Sequence, residues 1–295
     1  MKPANIAISI IIAFILLFAA GRIINSKIEN NNWIDNYGRL SYPARGKAEF
    51  TRENILETDQ YTLDKIVYNS KGTSIYANLY LPNKENSPAV IIAPAARAAK
   101  EGQDKFAKFL VGKGYAVLVL DQRGTGETKW VAKDPQTEFD AFMQEKKETT
   151  EQLMVYDILK AFDVMQDIDG VDPNNIITEG ESMGGRFTMI ATAIEPRIKG
   201  AIIISSSGYG TATGAIQAYL DTINPDNYVQ LISPRKLVMF HSPTDTVIPL
   251  EMAKNTYSLA KEPKEFIEMP QPCNHGNCDP IYDTIAEKLE EMQNS

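Results

Sequence analysis

Residues 171–185 read VDPNNIITEGESMGG, and this segment carries the clearest indication of the fold. Its apolar part, Ile176–Thr178, predicts a short buried strand, and the apolar run Phe187–Ala193 predicts a helix just after it. Between the two, the pentapeptide GESMG at 180–184 matches G-x-S-x-G. Glycines at both ends permit a sharp strand-to-helix turn. We therefore predict that Ser182 lies at the carboxyl end of a strand, beside a helix amino terminus.

Other apolar runs on both sides of this segment predict the rest of a sheet. Short uninterrupted runs are typical of strands that are buried on both faces of a mostly parallel sheet. These runs are AVIIA at 89–93, AVLVL at 116–120, AIII at 201–204, LVMF at 237–240 and FIEM at 266–269. Upstream, Tyr61–Asn69 and Thr73–Leu81 are rich in β-forming residues and are joined by Ser-Lys-Gly. They predict an antiparallel hairpin.

Helical patterns alternate with the predicted strands. They cover Gln103–Gly112, Thr149–Gln166 with a capping box from Thr149 to Gln152, and Asp283–Met292. This alternation predicts an α/β fold, with a doubly wound, mostly parallel sheet covered by helices on both faces. Two long connections, 124–147 and 209–235, break the alternation. Connections of this length are lids or binding loops, or surface insertions without function.

A serine hydroxyl needs a base, and the chain has only two histidines, His241 and His275. His275 follows the last predicted strand on a polar loop, and Asp245 follows the strand before it. The three side chains therefore come after strands whose carboxyl ends meet at one edge of the sheet, where ligands bind. We predict Ser182 as nucleophile, His275 as base and Asp245 as the acid that orients it. His241 is predicted to be structural.

The chain from about Tyr61 to the carboxy terminus resembles the α/β-hydrolase superfamily. The stretch 171–185 is similar to prolyl-oligopeptidase-like and dienelactone-hydrolase-like members, LDQRGTGET at 120–128 to the D-x-R-G-x-G-x-S turn, and HSPTDTVIP at 241–249 to the acid loop. The order Ser182, Asp245, His275 is the order of that superfamily. The resemblance implies the α/β-hydrolase fold and assigns the same three catalytic residues.

The resemblance also implies an oxyanion hole. One donor is the backbone N–H of Met183, and the other comes from the loop after the run 89–93, where the superfamily usually has His-Gly. This chain has Pro94-Ala95-Ala96-Arg97 in that place. A backbone donor does not have to be glycine, so we expect Ala95, or else Ala96, to donate beside Met183. Arg97 contacts substrate or is only solvated.

Two cysteines, Cys273 and Cys278, bracket His275 in CNHGNC. They form a disulfide that restrains the base, or they are free thiols. A Cys-His-Cys metal site lacks the ligand spacing of known zinc motifs. Neither a metal nor another cofactor is expected.

The balance of 30 basic against 38 acidic residues gives a net charge of −8 without any basic block. Such a chain lacks the electrostatic footprint of a nucleic-acid binder. Its apolar content of 43% excludes an intrinsically disordered chain. The expected partner is a small-molecule or acyl-ester substrate, and the sequence does not determine an oligomeric state.

The amino terminus contains an uncharged run, IAISIIIAFILLFAA at 6–20. We predict a signal peptide or transmembrane anchor helix over 1–24, a tether or lead-in over 25–60, and the α/β-hydrolase domain over 61–295. The domain is then expected outside the cytoplasm, anchored to the membrane if the segment is retained or secreted if it is cleaved.

These observations predict a serine hydrolase that cleaves a carboxylic ester through an acyl-enzyme. The prolyl-oligopeptidase-like segment leaves an amide or peptide substrate open. Two alternatives remain: an acyltransferase that uses the same triad, and a non-catalytic binding protein with this fold.

Overall fold

The computed structural model describes residues 33–211, 213–214 and 216–294. The chain divides into two units, with the boundary between Pro43 and Ala44. In the first, a short loop is closed by a bridge between Ile34 and Leu40. The predicted signal or anchor helix over 1–24 lies outside the described residues. No helix in the described part of the chain is long and apolar enough to cross a membrane.

The described part of the second unit contains one sheet of nine strands, in the order β1-β2-β3-β5-β4-β6-β7-β8-β9. The strands are β1 (Phe50–Glu57), β2 (Tyr61–Ser70), β3 (Thr73–Pro82), β4 (Ser87–Ala93), β5 (Ala116–Leu120), β6 (Val171–Glu181), β7 (Gly200–Ile204), β8 (Lys236–His241) and β9 (Lys264–Glu268). The pairs from β1 to β3, and β3 with β5, are antiparallel, and the remaining pairs are parallel. The predicted mostly parallel sheet with antiparallel amino-terminal strands is confirmed.

Helices cover both faces of this sheet, as the alternation predicts. They are α1 (Asp104–Gly112), α2 (Pro135–Glu145), α3 (Thr150–Gln166), α4 (Met183–Ile194), α5 (Ile216–Ile223), α6 (Leu250–Leu259) and α7 (Tyr282–Gln293). Helices α1 and α7 share one apolar cluster with the strands, through side chains such as Phe106 and Ile285. Helices α4 and α6 share a second cluster, which contains Met189 and Ala253.

Strand β1 corrects the predicted boundary between lead-in and domain. It falls within 25–60, the segment that the sequence assigns to a tether, and it pairs with β2 over most of its length. The strand reads FTRENILE, and its side chains after Phe50 are exposed. Because it lies at the edge of the sheet and buries little, it has no apolar alternation by which the sequence reveals a strand.

Both long connections contain a helix that the sequence did not predict. Helix α2 lies within 124–147 and α5 within 209–235. The ring of Tyr219 on α5 lies 6.0 Å from that of Phe139 and 5.6 Å from that of Phe142, both on α2. The two connections therefore pack against each other through aromatic side chains.

One carboxyl on β6 lies inside an apolar cluster. Glu179 is fully buried, and neither of its oxygens has a hydrogen-bond partner within the described residues. It is in register with Ile92 on β4 and Ile202 on β7, which both belong to the cluster around α1 and α7. Burial raises the pKa of Glu179 well above its ordinary value, and nearby Glu181 adds to the effect. The side chain is therefore held in its neutral form.

Replacing Glu179 is expected to stabilise the protein, increasingly so as the pH rises. Because its pKa is higher in the folded state than in the unfolded chain, the free energy of unfolding falls as the pH rises above the ordinary value of 4.5. Glu179→Gln removes this titration, and Glu179→Met also removes the unpaired polar group, a gain of about 1–3 kcal/mol at alkaline pH. Urea denaturation at pH 5 and pH 8 measures the free energy of unfolding of the wild type and of both variants. If the stability gained by replacing Glu179 did not grow with pH, Glu179 would not be the neutral, buried carboxyl described here.

Candidate active site

The turn between β6 and α4 holds Ser182 in a strained conformation. Its φ of 51° and ψ of −114° lie where a residue with a side chain is rarely found. Its backbone N–H donates to the Ile204 carbonyl of β7 at 2.9 Å, which ties the turn to the sheet. At Gly184 an added Cβ would lie 2.1 Å from the Ala93 carbonyl oxygen, so only glycine fits there. The serine side chain is thus presented at the carboxyl edge of the sheet.

The structure brings together the three side chains that the sequence selected. Nε2 of His275 lies 3.0 Å from Oγ of Ser182, and Nδ1 of the same ring lies 2.8 Å from Oδ2 of Asp245. A hydrogen on Nδ1 that is donated to the carboxylate leaves Nε2 free to accept the serine proton. This continuous hydrogen-bonded chain is the geometry needed to activate a hydroxyl.

The Asp245 carboxylate is held from two sides. Its Oδ1 accepts the backbone N–H groups of Val247 at 2.8 Å and Ile248 at 2.9 Å, which leaves Oδ2 for His275. Burial alone raises the pKa of Asp245, but these N–H groups and His275 outweigh it and lower the pKa below its ordinary value. The group is therefore a carboxylate at neutral pH, with a fixed orientation.

The second histidine, His241, is bonded to the loop that carries Asp245. His241 is fully buried, with Nε2 2.9 Å from the Ile248 carbonyl and 3.5 Å from Oδ2 of Asp245. Burial lowers the pKa of His241, so the ring is neutral at pH 7. Its Nε2–H donates to the carbonyl. This position fits the structural role expected from the sequence.

The loop that carries His275 is anchored at several points. Cys273 and Cys278 form a disulfide, which is one of the two states that the sequence left open. Ser242 Oγ donates to the Cys273 carbonyl at 2.8 Å, and the N–H of Gly276 donates to Oγ of Ser205 at 3.0 Å. Because both sulfurs are bonded to each other, neither is available as a thiolate ligand for a metal.

Removing the disulfide is expected to lower both stability and turnover. Closure of so short a loop contributes about 2 kcal/mol to the free energy of unfolding. The double variant Cys273→Ala/Cys278→Ala should lose that amount, and kcat should fall about tenfold because His275 is held less well. Thermal or urea unfolding and initial rates measure the two effects. The wild type treated with a thiol reductant should show both losses, whereas the double variant should be insensitive to it. Unchanged kcat in the double variant would show that the other anchors suffice.

Glu181 links the turn at Ser182 to the loop that carries His275, a contact that the sequence does not indicate. Its carboxylate accepts from Nε2 of Gln103 at 2.7 Å and from the backbone N–H of Asn277. An added Cβ on Gly276 would lie 2.2 Å from its Oε1. Burial raises the pKa of Glu181, and the bonds from Gln103 and Asn277 partly offset that rise. The glycine after His275 is the one sequence signal of this close approach.

In the part of the chain that the structure describes, the two backbone N–H groups expected to form the oxyanion hole, those of Ala95 and Met183, are free to bind an oxyanion. Within the described residues, neither the Ala95 nor the Met183 N–H donates to any acceptor. Ala95 follows the end of β4, and Met183 is the first residue of α4. Arg97 is exposed, with a φ of 64° in the turn that follows Ala95.

Fold and site together define a serine hydrolase of the α/β-hydrolase superfamily. Residues 46–206 match the acetyl xylan esterase (AXE1) family model. The chain belongs to this family, and it is an ester-cleaving enzyme. This result confirms the superfamily that the sequence resembles and excludes a fold of another class.

Individual proteins that match this chain in sequence share about a quarter of its residues over the aligned region. The chain is 24% identical over 232 residues to the uncharacterized protein YfhR of Escherichia coli K12, covering 74% of this chain and 75% of YfhR. It is 27% identical over 188 residues to the acyltransferase drtE of Aspergillus calidoustus, covering 63% and 52% of the two chains.

Solved structures share the fold. Acetyl xylan esterase 1 from Thermoanaerobacterium sp. superposes with a TM-score of 0.72 at 15% identity, over 84% of this chain and 89% of that one. An acetyl xylan esterase from Paenibacillus sp. R4 gives a TM-score of 0.71 at 16% identity, over 84% and 90%.

Proposed function

We propose that this esterase works through an acyl-enzyme on Ser182, with His275 as general base and Asp245 as its orienting acid. The observation that carries the proposal is the unbroken hydrogen-bonded chain from Ser182 Oγ through the imidazole to the carboxylate. A serine at a strained turn beside a helix amino terminus is a poor structural residue but a well-presented nucleophile.

In the proposed mechanism, Ser182 Oγ attacks the ester carbonyl carbon while His275 Nε2 takes its proton. The carbonyl oxygen becomes an oxyanion, which accepts hydrogen bonds from the N–H groups of Met183 and Ala95. His275 then returns the proton to the leaving alcohol as the C–O bond breaks. Water attacks the acyl carbon while His275 takes its proton, and His275 returns that proton to Ser182 Oγ as the bond between the acyl carbon and Oγ breaks and the acid leaves. Asp245 stabilises the imidazolium in both halves.

Short acyl esters, acetyl esters first, are the proposed substrates. The support comes from the family model and from two structural relatives that are named as acetyl xylan esterases. One observation favours acyl transfer as the second candidate, since a relative over 188 residues is named as an acyltransferase. Hydrolysis and transfer share the acyl-enzyme and differ only in whether water or an alcohol accepts the acyl group.

Product partitioning tests the acyl-enzyme and separates the two activities. Nitrophenyl acetate and methylumbelliferyl acetate are each incubated with the enzyme and a fixed concentration of an added alcohol. A common acetyl-enzyme predicts the same ratio of acetic acid to new ester from both substrates, because the leaving group has departed before partitioning. A ratio that depends on the leaving group contradicts the proposal. A ratio dominated by ester at low alcohol concentration assigns a transferase.

A further inference from the structure

We propose that Gln122 is a positioning residue of the oxyanion hole, which fixes the direction of the Ala95 N–H. This inference rests on the proposed function, because it concerns the same site. Gln122 lies in the turn LDQRG that follows β5, and its side chain is almost fully buried. Strands β5 and β4 are parallel neighbours, so this turn lies beside the residues that follow β4.

The side-chain amide of Gln122 binds one carbonyl of that neighbouring loop. Its Nε2 donates a hydrogen bond to the carbonyl oxygen of Pro94. The Pro94 carbonyl and the Ala95 N–H belong to one peptide unit, and this peptide is not among the cis bonds of the described chain. In a planar trans peptide the two groups point in opposite directions. Gln122 therefore directs the Ala95 N–H away from itself.

The same peptide is held on another side by the nucleophile turn. A Cβ added to Gly184 would lie 2.1 Å from the Ala93 carbonyl oxygen and 2.4 Å from that of Pro94. The first turn of α4 thus packs directly on the loop after β4. The Pro94 carbonyl contacts both Gln122 and Gly184, which places the Ala95 and Met183 N–H groups on adjacent backbone segments.

This loop offers few other means of fixing the donor. Pro94 has no N–H, and the side chains of Ala95 and Ala96 carry no polar group. The turn is closed by the Ala98 N–H, which donates to the Ala95 carbonyl at 3.1 Å and leaves the Ala95 N–H itself unbound. The side-chain amide of Gln122, from the turn after the neighbouring strand β5, supplies the missing constraint.

The cost of burying this amide also points to function. The Oε1 atom of Gln122 is buried and has no hydrogen-bond partner within the described residues. An unpaired buried carbonyl oxygen is unfavourable, so an apolar side chain of the same length would be tolerated at little loss of stability. A glutamine retained only for stability would be poorly suited to this position.

The test is Gln122→Met, measured for kcat, KM and the Ki of a trifluoromethyl ketone, which forms a tetrahedral oxyanion adduct with the serine. A misdirected donor weakens the transition state and its analogue alike. We expect kcat/KM to fall about 10–100-fold, Ki to rise by the same factor, and KM to change little. Gln122→Leu also has no side-chain donor and should show the same pattern, so the test does not depend on one variant folding.

Thr178→Val is the matched control. It removes a fully buried hydrogen bond from β6, the 2.7 Å contact between Thr178 Oγ1 and Thr192 Oγ1, without touching the site. It should lower stability and leave kcat/KM and Ki unchanged. Wild-type kcat/KM in Gln122→Met, or a loss of kcat/KM without a matching rise in Ki, overturns the inference. Absence of Ser182-dependent ester hydrolysis in the wild type overturns the proposed function instead.

Discussion

Replacing Ser182 by alanine is expected to lower kcat for ester hydrolysis by about 10⁴–10⁶-fold. The variant keeps the backbone donors and the imidazole but has no hydroxyl to form the acyl-enzyme. Substrate binding should be preserved, because the substitution removes a single atom, the Oγ that lies 3.0 Å from His275 Nε2. Initial rates with nitrophenyl acetate, using enzyme purified away from host esterases, measure the loss.

Ser87→Ala serves as the control for this substitution. Ser87 is a fully buried serine at the start of β4, the end of that strand remote from the site, and its Oγ donates to the Lys84 carbonyl at 3.4 Å. It should retain wild-type kcat. If Ser182→Ala kept more than about one hundredth of the wild-type rate, another residue would have to be the nucleophile.

Asp245→Asn is expected to have the second largest effect, a fall in kcat of about 10⁴-fold. The amide has no charge with which to stabilise the imidazolium, and its NH₂ group facing Nδ1 favours the tautomer that places the hydrogen on Nε2. His275 then cannot accept the Ser182 proton. A pH–rate profile from pH 5 to 9 should show the loss throughout this range, because the lowered pKa of Asp245 keeps the wild-type carboxylate ionised across it.

Stability gives an independent check on Asp245. Because its pKa is lowered in the folded state, its contribution is fully present above the ordinary value of 3.8 and is lost as the pH falls through the folded-state pKa. The stability difference between wild type and Asp245→Asn should therefore shrink in acid. Asp64→Asn is a matched control, a buried carboxylate paired with Arg52 at 2.7 Å outside the site, and it should keep kcat. A normal kcat in Asp245→Asn would remove Asp245 from the mechanism.

The parts of the fold that bury apolar side chains could be predicted from the sequence. Strands such as Ala116–Leu120 are continuous apolar runs, and the long helix that ends at Gln166 carries its own capping box, where Gln152 Oε1 accepts the Thr149 N–H at 2.8 Å. Strand β1 and helix α2 could not be predicted, because neither presents a continuous apolar pattern.

Part of the candidate site could likewise be predicted from the sequence, and part could not. The sequence places Ser182, Asp245 and His275 each just after a predicted parallel strand. Because the carboxyl ends of parallel strands lie at one edge of the sheet, their proximity could be expected from the topology. The contacts of Glu181 with Gln103 and of Gln122 with Pro94 could not be predicted, because each depends on which loop packs beside the end of a strand. The disulfide was one of two open states, and the expected export of the chain stays a prediction.

Labelling with a fluorophosphonate, followed by peptide mapping, tests directly whether Ser182 is the nucleophile. The reagent reacts with a serine that is activated by a neighbouring base. We expect one label per active chain, on the peptide that contains Ser182, with parallel loss of esterase activity and no label in Ser182→Ala. Full esterase activity in a chain that takes up no label, or a label on a different residue, would contradict it.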